Sequence, residues 1–263
     1  MGDQSTAIMV VSFDKYSDIW DVFFLCLNRF WKGRECKTYL VTNNLCPVYD
    51  GVEVIKTGFE ISWSHRVRAA LEMIQEEYII LLLEDYLIAQ EVDETKVTNA
   101  LNYMQENNLD YLRIVPIPKI KKRTHGEFAL KITDKMMYGV NLQAAIWKKS
   151  YLLKLLDDAN FSAWEFEARQ KFGAPTRITG DCQATNEYTI YYLNGIIQGK
   201  WYIKSIETLT SLGINITLGD RSVMTEKEIR REKIRGFFLH HLPPKIICML
   251  KPIAKKLGFK FVT

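Results

Sequence analysis

The sequence contains no Gly-x-Ser-x-Gly, no Walker-type phosphate loop and no Gly-x-Gly-x-x-Gly. Those absences remove the main sequence supports for a serine hydrolase, a P-loop ATPase and a Rossmann dehydrogenase. Its five cysteines, Cys26, Cys36, Cys46, Cys182 and Cys248, form no C-x-x-C pair and are odd in number. Neither a disulfide framework nor a zinc site is indicated, and a reducing compartment is expected. His65, His125, His240 and His241 have no metal-ligand spacing. No apolar run reaches the roughly 20 residues that span a bilayer. Met1 to Asp14 lacks a charged leader, so no signal peptide is expected, and Met1-Gly2 with Thr6 matches only a short myristoylation pattern of the kind that arises by chance. Repeats and low-complexity segments are missing as well.

What remains is an ordinary globular composition with an uneven charge. Over 263 residues, hydrophobic residues make up 48% and charged residues 25%, which excludes a disordered or fibrous chain and is enough to bury a large core. The net charge is +4, yet residues 221–263 carry eleven Lys or Arg against three Glu, so everything before them is mildly acidic. A nucleic-acid binder would spread its cations over a folded face. Here the separation predicts a catalytic body, residues 1–220, and a basic helical tail, residues 221–263, with no nucleic-acid partner.

Ala7-Ile8-Met9-Val10-Val11 is a short β-branched run of the kind buried on both faces of a sheet. Trp20, Phe23, Phe24 and Leu27 recur at helical spacing, and strands are expected at Thr38 to Val41 and Val52 to Ile55. Ser64 reads as an N-cap, with Val67, Ala70, Leu71 and Ile74 on one helical face through Gln75. Tyr78 to Leu83 is the most apolar run in the chain and stops at Glu84-Asp85-Tyr86. Further on, Val97 to Glu106 predicts a helix, Tyr111 to Val115 and Asn141 to Trp147 strands, and Tyr151 to Leu156 and the segment opened by Ser162 helices. Thr189 to Leu193 and Trp201 to Ile206 are expected to pair around Asn194-Gly195. Alternating strands and helices predict an α/β fold with a mixed, mostly parallel central sheet flanked by helices.

Three constellations carry the candidate chemistry. Glu84 and Asp85, at the carboxyl end of a buried strand, have oxygen ligands suited to Mg²⁺ or Mn²⁺, which could neutralise a leaving diphosphate; the alternative is a turn capped by Asp85. Ser64, Arg66 and Arg68 open a helix, where cations oppose the dipole at a cost of about 0.3–1 kcal/mol each unless an anion sits there. A phosphate bound by free N–H groups and an arginine would resolve the conflict, and pairing with Glu60 or Glu72 would do so equally. Trp164-Glu165-Phe166-Glu167 offers an aromatic face for a sugar ring and two carboxylates able to deprotonate a hydroxyl, although Ser162 with Glu165 also forms a capping box. Gln143 is a further candidate on the acceptor side, beside Trp164.

With these residues in view, the chain resembles bacterial GT-A-fold glycosyltransferases, in particular family-2-like enzymes of capsular and surface polysaccharide assembly. Ser64 to Tyr86 is similar to the family segment in which a Ser/Arg-bearing helix precedes an apolar strand and an acid-x-acid motif, and the likeness extends over about the first 170 residues. It implies that Ser12, Phe13 and Asp14 hold the nucleotide with Glu84, Asp85 and Tyr86, and that Glu165 or Glu167 is the base. One departure stands out: the third motif position is Tyr86, so a metal-independent mechanism, with Arg66 or the Lys119 to Arg123 loop carrying the leaving-group charge, is an alternative to Mg²⁺ or Mn²⁺. The expected reaction is inverting transfer of a sugar from a nucleotide diphosphate sugar, a UDP-sugar for preference, to a hydroxyl of a lipid-linked glycan. The basic tail, with Phe237-Phe238-Leu239 and Ile246 to Leu250 among lysines and arginines, suits an anionic membrane surface and predicts a cytoplasmic protein peripheral to the inner face of the membrane. A tail that closes the core or a homo-oligomer is the alternative. A nucleotidyltransferase and a non-catalytic adaptor remain as rival functions.

Overall fold

The structure is a computed structural model that describes residues 5–58, 62–120, 127–133, 136, 138–157, 159–170 and 180–241, with side chains in the last helix described through Ile234. The elements run β1 (Thr6–Val11), α1 (Ser17–Phe30), β2 (Lys37–Thr42), β3 (Val52–Lys56), α2 (Trp63–Met73), β4 (Tyr78–Leu83), β5 (Tyr86–Ile88), α3 (Glu94–Glu106), β6 (Tyr111–Arg113), β7 (Ala129–Lys131), β8 (Ala145–Lys148), α4 (Lys149–Leu156), α5 (Ala163–Arg169), β9 (Cys182–Thr185) and β10 (Tyr192–Asn194). β11 (Ile196–Ile197), β12 (Lys200–Trp201), α6 (Ile203–Ser211) and α7 (Glu226–His241) follow.

Eight strands form one sheet in the order β3-β2-β1-β4-β8-β6-β9-β7. β3, β2, β1 and β4 are mutually parallel, β8 runs against β4 and β6, β9 is parallel to β6, and β7 is antiparallel to β9. The mixed, mostly parallel α/β sheet read from the sequence is therefore present. β1 is buried along its whole length because its two faces pack in opposite directions. Ala7, Met9 and Val11 join a core with Val67, Ala70 and Leu71 of α2 and Leu152 and Leu155 of α4, while Ile8 and Val10 on the other face are also fully buried. α1 turns Ile19, Trp20, Phe23 and Leu27 inward, the periodicity that placed it.

Several local expectations need correction. The N-cap of α2 is Ser62, whose side chain accepts from the His65 N–H, and Ser64 lies inside the helix. Asn141 to Ala144 is a buried irregular segment, and the strand begins only at Ala145. The pair expected around Asn194-Gly195 is replaced: β10 pairs antiparallel with β5, and β11 with β12. Gln198 and Gly199 both have positive φ, 53° and 77°, the requirement of a tight two-residue hairpin, and Ile203 to Ile206 is helical. A short apolar run with Ile and Trp is ambiguous between the two states until its neighbours are known.

Contacts divide the chain into Met1–Asn194 and Gly195–Thr263. The second unit centres on Trp201, fully buried, whose indole N–H donates to the Leu218 carbonyl at 3.1 Å. Within it, Lys200 pairs with Glu228 at 2.8 Å, and Glu228 closes a capping box with Thr225 at the start of α7. Residues 242–263, most of the apolar part of the expected membrane-surface tail, lie outside the described residues, as does all of the cationic loop beyond Ile120. Among the described residues no helix is long and apolar enough to cross a membrane.

Candidate functional site

Parallel β1, β2, β3 and β4 end together at Val11, Thr42, Lys56 and Leu83, so the segments that follow share one edge of the sheet, the usual ligand edge of such sheets. Glu84 and Asp85 form the turn between β4 and β5 at that edge, with Glu84 buried and Asp85 half-buried. Ser12 is 2% exposed and accepts from the Trp20 indole at 2.7 Å, which ties β1 to α1 and makes it a packing residue. Asp14 is a brace: its carboxylate accepts from the backbone N–H groups of Asn43 at 2.9 Å, Asn44 at 3.0 Å and Leu45 at 3.3 Å. Asn43 Oδ1 in turn accepts from the Asp14 N–H, and its Nδ2–H donates to the Gly58 carbonyl, so three strand ends are laced together.

The arginines of α2 part ways. Arg66 is 7% exposed, lies 5.1 Å from the Phe13 ring centre, and has an Nε–H with no hydrogen-bond partner among the described residues. Burial pulls its pKa down, and the nearby carboxylates of Glu84 and Asp14 act against that. Arg68 points the other way, donating Nε–H to the Asp157 carbonyl at 3.0 Å and Nη2–H to the Leu153 carbonyl at 3.4 Å, with Glu72 at 3.9 Å. It thereby satisfies the carbonyl end of α4, where a cation complements the helix dipole. Free first-turn amides, the expected phosphate cradle, are also spoken for: Ser64 N–H goes to Phe161 O, His65 N–H to Ser62 Oγ, and Arg66 N–H to Ser62 O. At this helix end the Arg66 Nε–H is a buried donor without a hydrogen-bond partner among the described residues.

Ser64 takes a different part from the one its sequence position implies. Its hydroxyl donates to Ala159 O at 2.9 Å and accepts from Phe161 N–H at 3.0 Å, pinning the loop that leads into α5. Trp63 packs on Phe166 with ring centres 5.2 Å apart, so α2 sets the position of α5 and its two glutamates. Glu165 is exposed and its Oε2 accepts from both Ser162 N–H, at 2.7 Å, and Ser162 Oγ–H, at 2.8 Å. Those bonds hold its pKa below the ordinary value. Glu167 is half-buried and turns inward, its Oε1 accepting the Leu142 N–H at 3.0 Å. Trp164, 56% exposed, presents its ring to solvent.

Tyr86 is not a surface ligand. It is 4% exposed, stacks on Tyr192 with ring centres 4.2 Å apart, and donates to the Leu142 carbonyl at 3.0 Å. Gln143, half-buried, donates Nε2–H to Tyr86 at 3.3 Å and accepts from Tyr192 at 2.6 Å. The Tyr86 phenol is pushed well above its ordinary pKa, first by burial and then by Tyr192, Asp85, Glu167 and Glu84. Tyr86 and Glu167 both bond to Leu142, one through its carbonyl and the other through its N–H, so the residue that follows the Glu84-Asp85 turn and the helix that carries Glu167 meet at one position although about eighty residues separate them in sequence. Among the described residues no group of three His, Cys, Asp or Glu could hold a metal ion.

Sequence reasoning passed over Arg113, Tyr111 and Tyr192. Arg113 is 1% exposed and donates to the carbonyls of Val115, Pro118, Tyr138 and Gly139. A lone charge inside the apolar run Tyr-Leu-Arg-Ile-Val was the available signal, since such a charge is rarely buried without dedicated partners.

No protein-family model and no curated protein matches the chain. Among solved structures it is similar to S. aureus TarS 1-349, at 13% identity and a TM-score of 0.47 over 73% of this chain and 60% of that one. TarS 1-349 in complex with UDP-GlcNAc matches at 13% identity and 0.46, over 90% and 72%. A cytidylyltransferase from Leptospira borgpetersenii serovar Hardjo-bovis matches at 12% identity and 0.41, over 84% and 100%. None of these likenesses assigns an activity to the chain.

Proposed function

We propose that the carboxyl edge of the sheet is the active site of a GT-A-like glycosyltransferase that moves a sugar from a nucleotide diphosphate sugar, a UDP-sugar for preference, to a hydroxyl of a lipid-linked glycan with inversion. The observation that carries this reading is that Glu167 and Tyr86, which directly follows Glu84 and Asp85, bond to the same residue, Leu142. An acid on one side and a strand-end carboxylate turn on the other are what a single displacement needs: a group to take the hydroxyl proton and groups to seat the donor. Glu167 is the base. It takes the acceptor proton as the oxygen attacks the anomeric carbon, and the sugar–phosphate bond breaks with its electron pair leaving on the nucleoside diphosphate. Glu165 is anchored by Ser162 and, with its lowered pKa, is the weaker base.

Arg66 offers its Nε–H, which has no hydrogen-bond partner among the described residues, and its charge to the diphosphate. Glu84 and Asp85 have the donor chemistry for Mg²⁺ or Mn²⁺ and would hold it there, where such an ion supplies charge neutralisation for the leaving group. Trp164 gives the acceptor sugar an exposed aromatic face. The basic tail of residues 221–263 is proposed to rest on an anionic membrane surface on the cytoplasmic side, beside the lipid-linked acceptor. Calorimetry with UDP, with and without Mn²⁺, and UDP release from UDP-glucose, UDP-galactose and UDP-N-acetylglucosamine test the reading. Binding of UDP and turnover of one donor are expected. Failure of every nucleotide to bind would favour the adaptor.

A further inference from the structure

Tyr138 to Ala144 is an irregular segment that is buried from Gly139 to Leu142 and again at Ala144, a costly arrangement unless its backbone groups find partners. Side chains supply nearly all of them. The N–H groups of residues 141 to 144 donate in turn to Tyr111 Oη, Glu167 Oε1, Asn141 Oδ1 and Tyr192 Oη. The carbonyls of Tyr138 and Gly139 accept from Arg113, that of Asn141 from Tyr111 at 3.2 Å, that of Leu142 from Tyr86 at 3.0 Å, and that of Ala144 from the Ile114 N–H at 3.1 Å. Glu167 is the one carboxylate in this set, and the N–H it accepts belongs to the peptide whose carbonyl Tyr111 holds. The next peptide along is held by Tyr86. Two phenols thus clamp the two peptide planes on either side of the Leu142 α-carbon, and one of those planes carries the bond to Glu167.

This geometry goes beyond anchoring a loop. Glu167 sits in the short helix α5, and its side chain has rotamers to spare, so a hydrogen bond to a mobile segment would not hold it. A clamped peptide does, because a bond to a fixed donor restricts both partners. We propose that Tyr86 and Tyr111 are positioning residues, which fix the Leu142 peptides so that its N–H aims the Glu167 carboxylate at the acceptor hydroxyl. The inference rests on the reading of Glu167 as the base. It also accounts for the aromatic at the third position of the strand-end motif: Tyr86 serves the base from beneath, and contact with the donor falls to Glu84 and Asp85.

Y86F and Y111F remove only the hydroxyls and keep the ring that stacks on Tyr192 and the ring that meets Trp147 edge-on. With the UDP-sugar found to be turned over, each should lower kcat about tenfold and leave the donor KM within about twofold, because alignment is lost and ground-state binding is not. In an E167Q background neither should cost anything further, the signature of residues that act through one another. A loss that persists undiminished beside E167Q, or that falls on KM alone, overturns the inference and leaves the functional reading standing. Near-normal turnover by E167Q itself sinks the base assignment, and the inference with it. Hydrogen exchange at the Leu142 amide is the second measurement: it should quicken about tenfold in both Phe variants, and an unchanged rate overturns the clamp.

Discussion

Replacing Glu167 by Gln and, separately, Glu165 by Gln separates the two glutamates that the sequence could not. In E167Q the new amide keeps an oxygen where Oε1 accepts the Leu142 N–H at 3.0 Å, so the buried segment retains its partner. What disappears is the ability to take a proton. General-base catalysis is worth about 10²–10⁴ in rate, or roughly 2.7–5.5 kcal/mol of transition-state stabilisation, and kcat should fall by that factor with donor KM little changed. Stability should hold, since the hydrogen bond to the buried segment is kept. E165Q should do the reverse. It removes the charge from a capping box in which one carboxylate oxygen serves two donors of Ser162, so the unfolding temperature should fall slightly, with activity reduced less than about tenfold. Steady-state assays of UDP release paired with thermal unfolding measure both. An E167Q enzyme within a factor of a few of wild type, or an E165Q enzyme that folds normally and is inactive, would refute the assignment.

Two further outcomes follow from the bonding. Arg113→Lys keeps a charge and loses the planar fork that reaches four carbonyls, so several buried acceptors are left short and denaturant unfolding should show a loss of more than about 2 kcal/mol; a change within about 0.5 kcal/mol would mean that water replaces the fork without penalty. In the second unit, Glu228 is held down to a pKa of about 2 by Lys200 and Thr225. A depressed carboxylate stabilises the folded form above its ordinary pKa of 4.5 and loses that effect as pH falls towards 2, so the protection of amides at the start of α7, after division by the intrinsic exchange rate at each pH, should fall over that window in wild type and stay unchanged in E228Q.

The strand ends and the helices were legible because they depend on short-range patterns. Ala7 to Val11 and Tyr78 to Leu83 read as doubly buried strands and are so, and the stop at Glu84-Asp85 does mark the carboxyl end of a parallel strand. Asn141 to Ala144 misled for the same reason that Ile203 to Ile206 did: a few apolar residues fit either a strand or something else, and the choice falls to partners far away in the chain. Arg66 and Arg68 look equivalent two positions apart, yet a helix rotates them about 200° from one another, so one enters the site and the other caps α4.

By itself the sequence determined the α/β class, the acidic end of its most apolar strand, and the capping box that claims Glu165, since each is a property of neighbours within one element. Only the tertiary structure decided that Tyr86 is buried and bonds to Leu142, that Glu167 bonds to the same residue, and that Ser64 ties α2 to the approach of α5. Those facts hang on contacts between residues separated by about 25 to 100 positions. Burial creates such contacts by forcing every backbone amide and phenol to find a partner, and no local pattern records which one it finds.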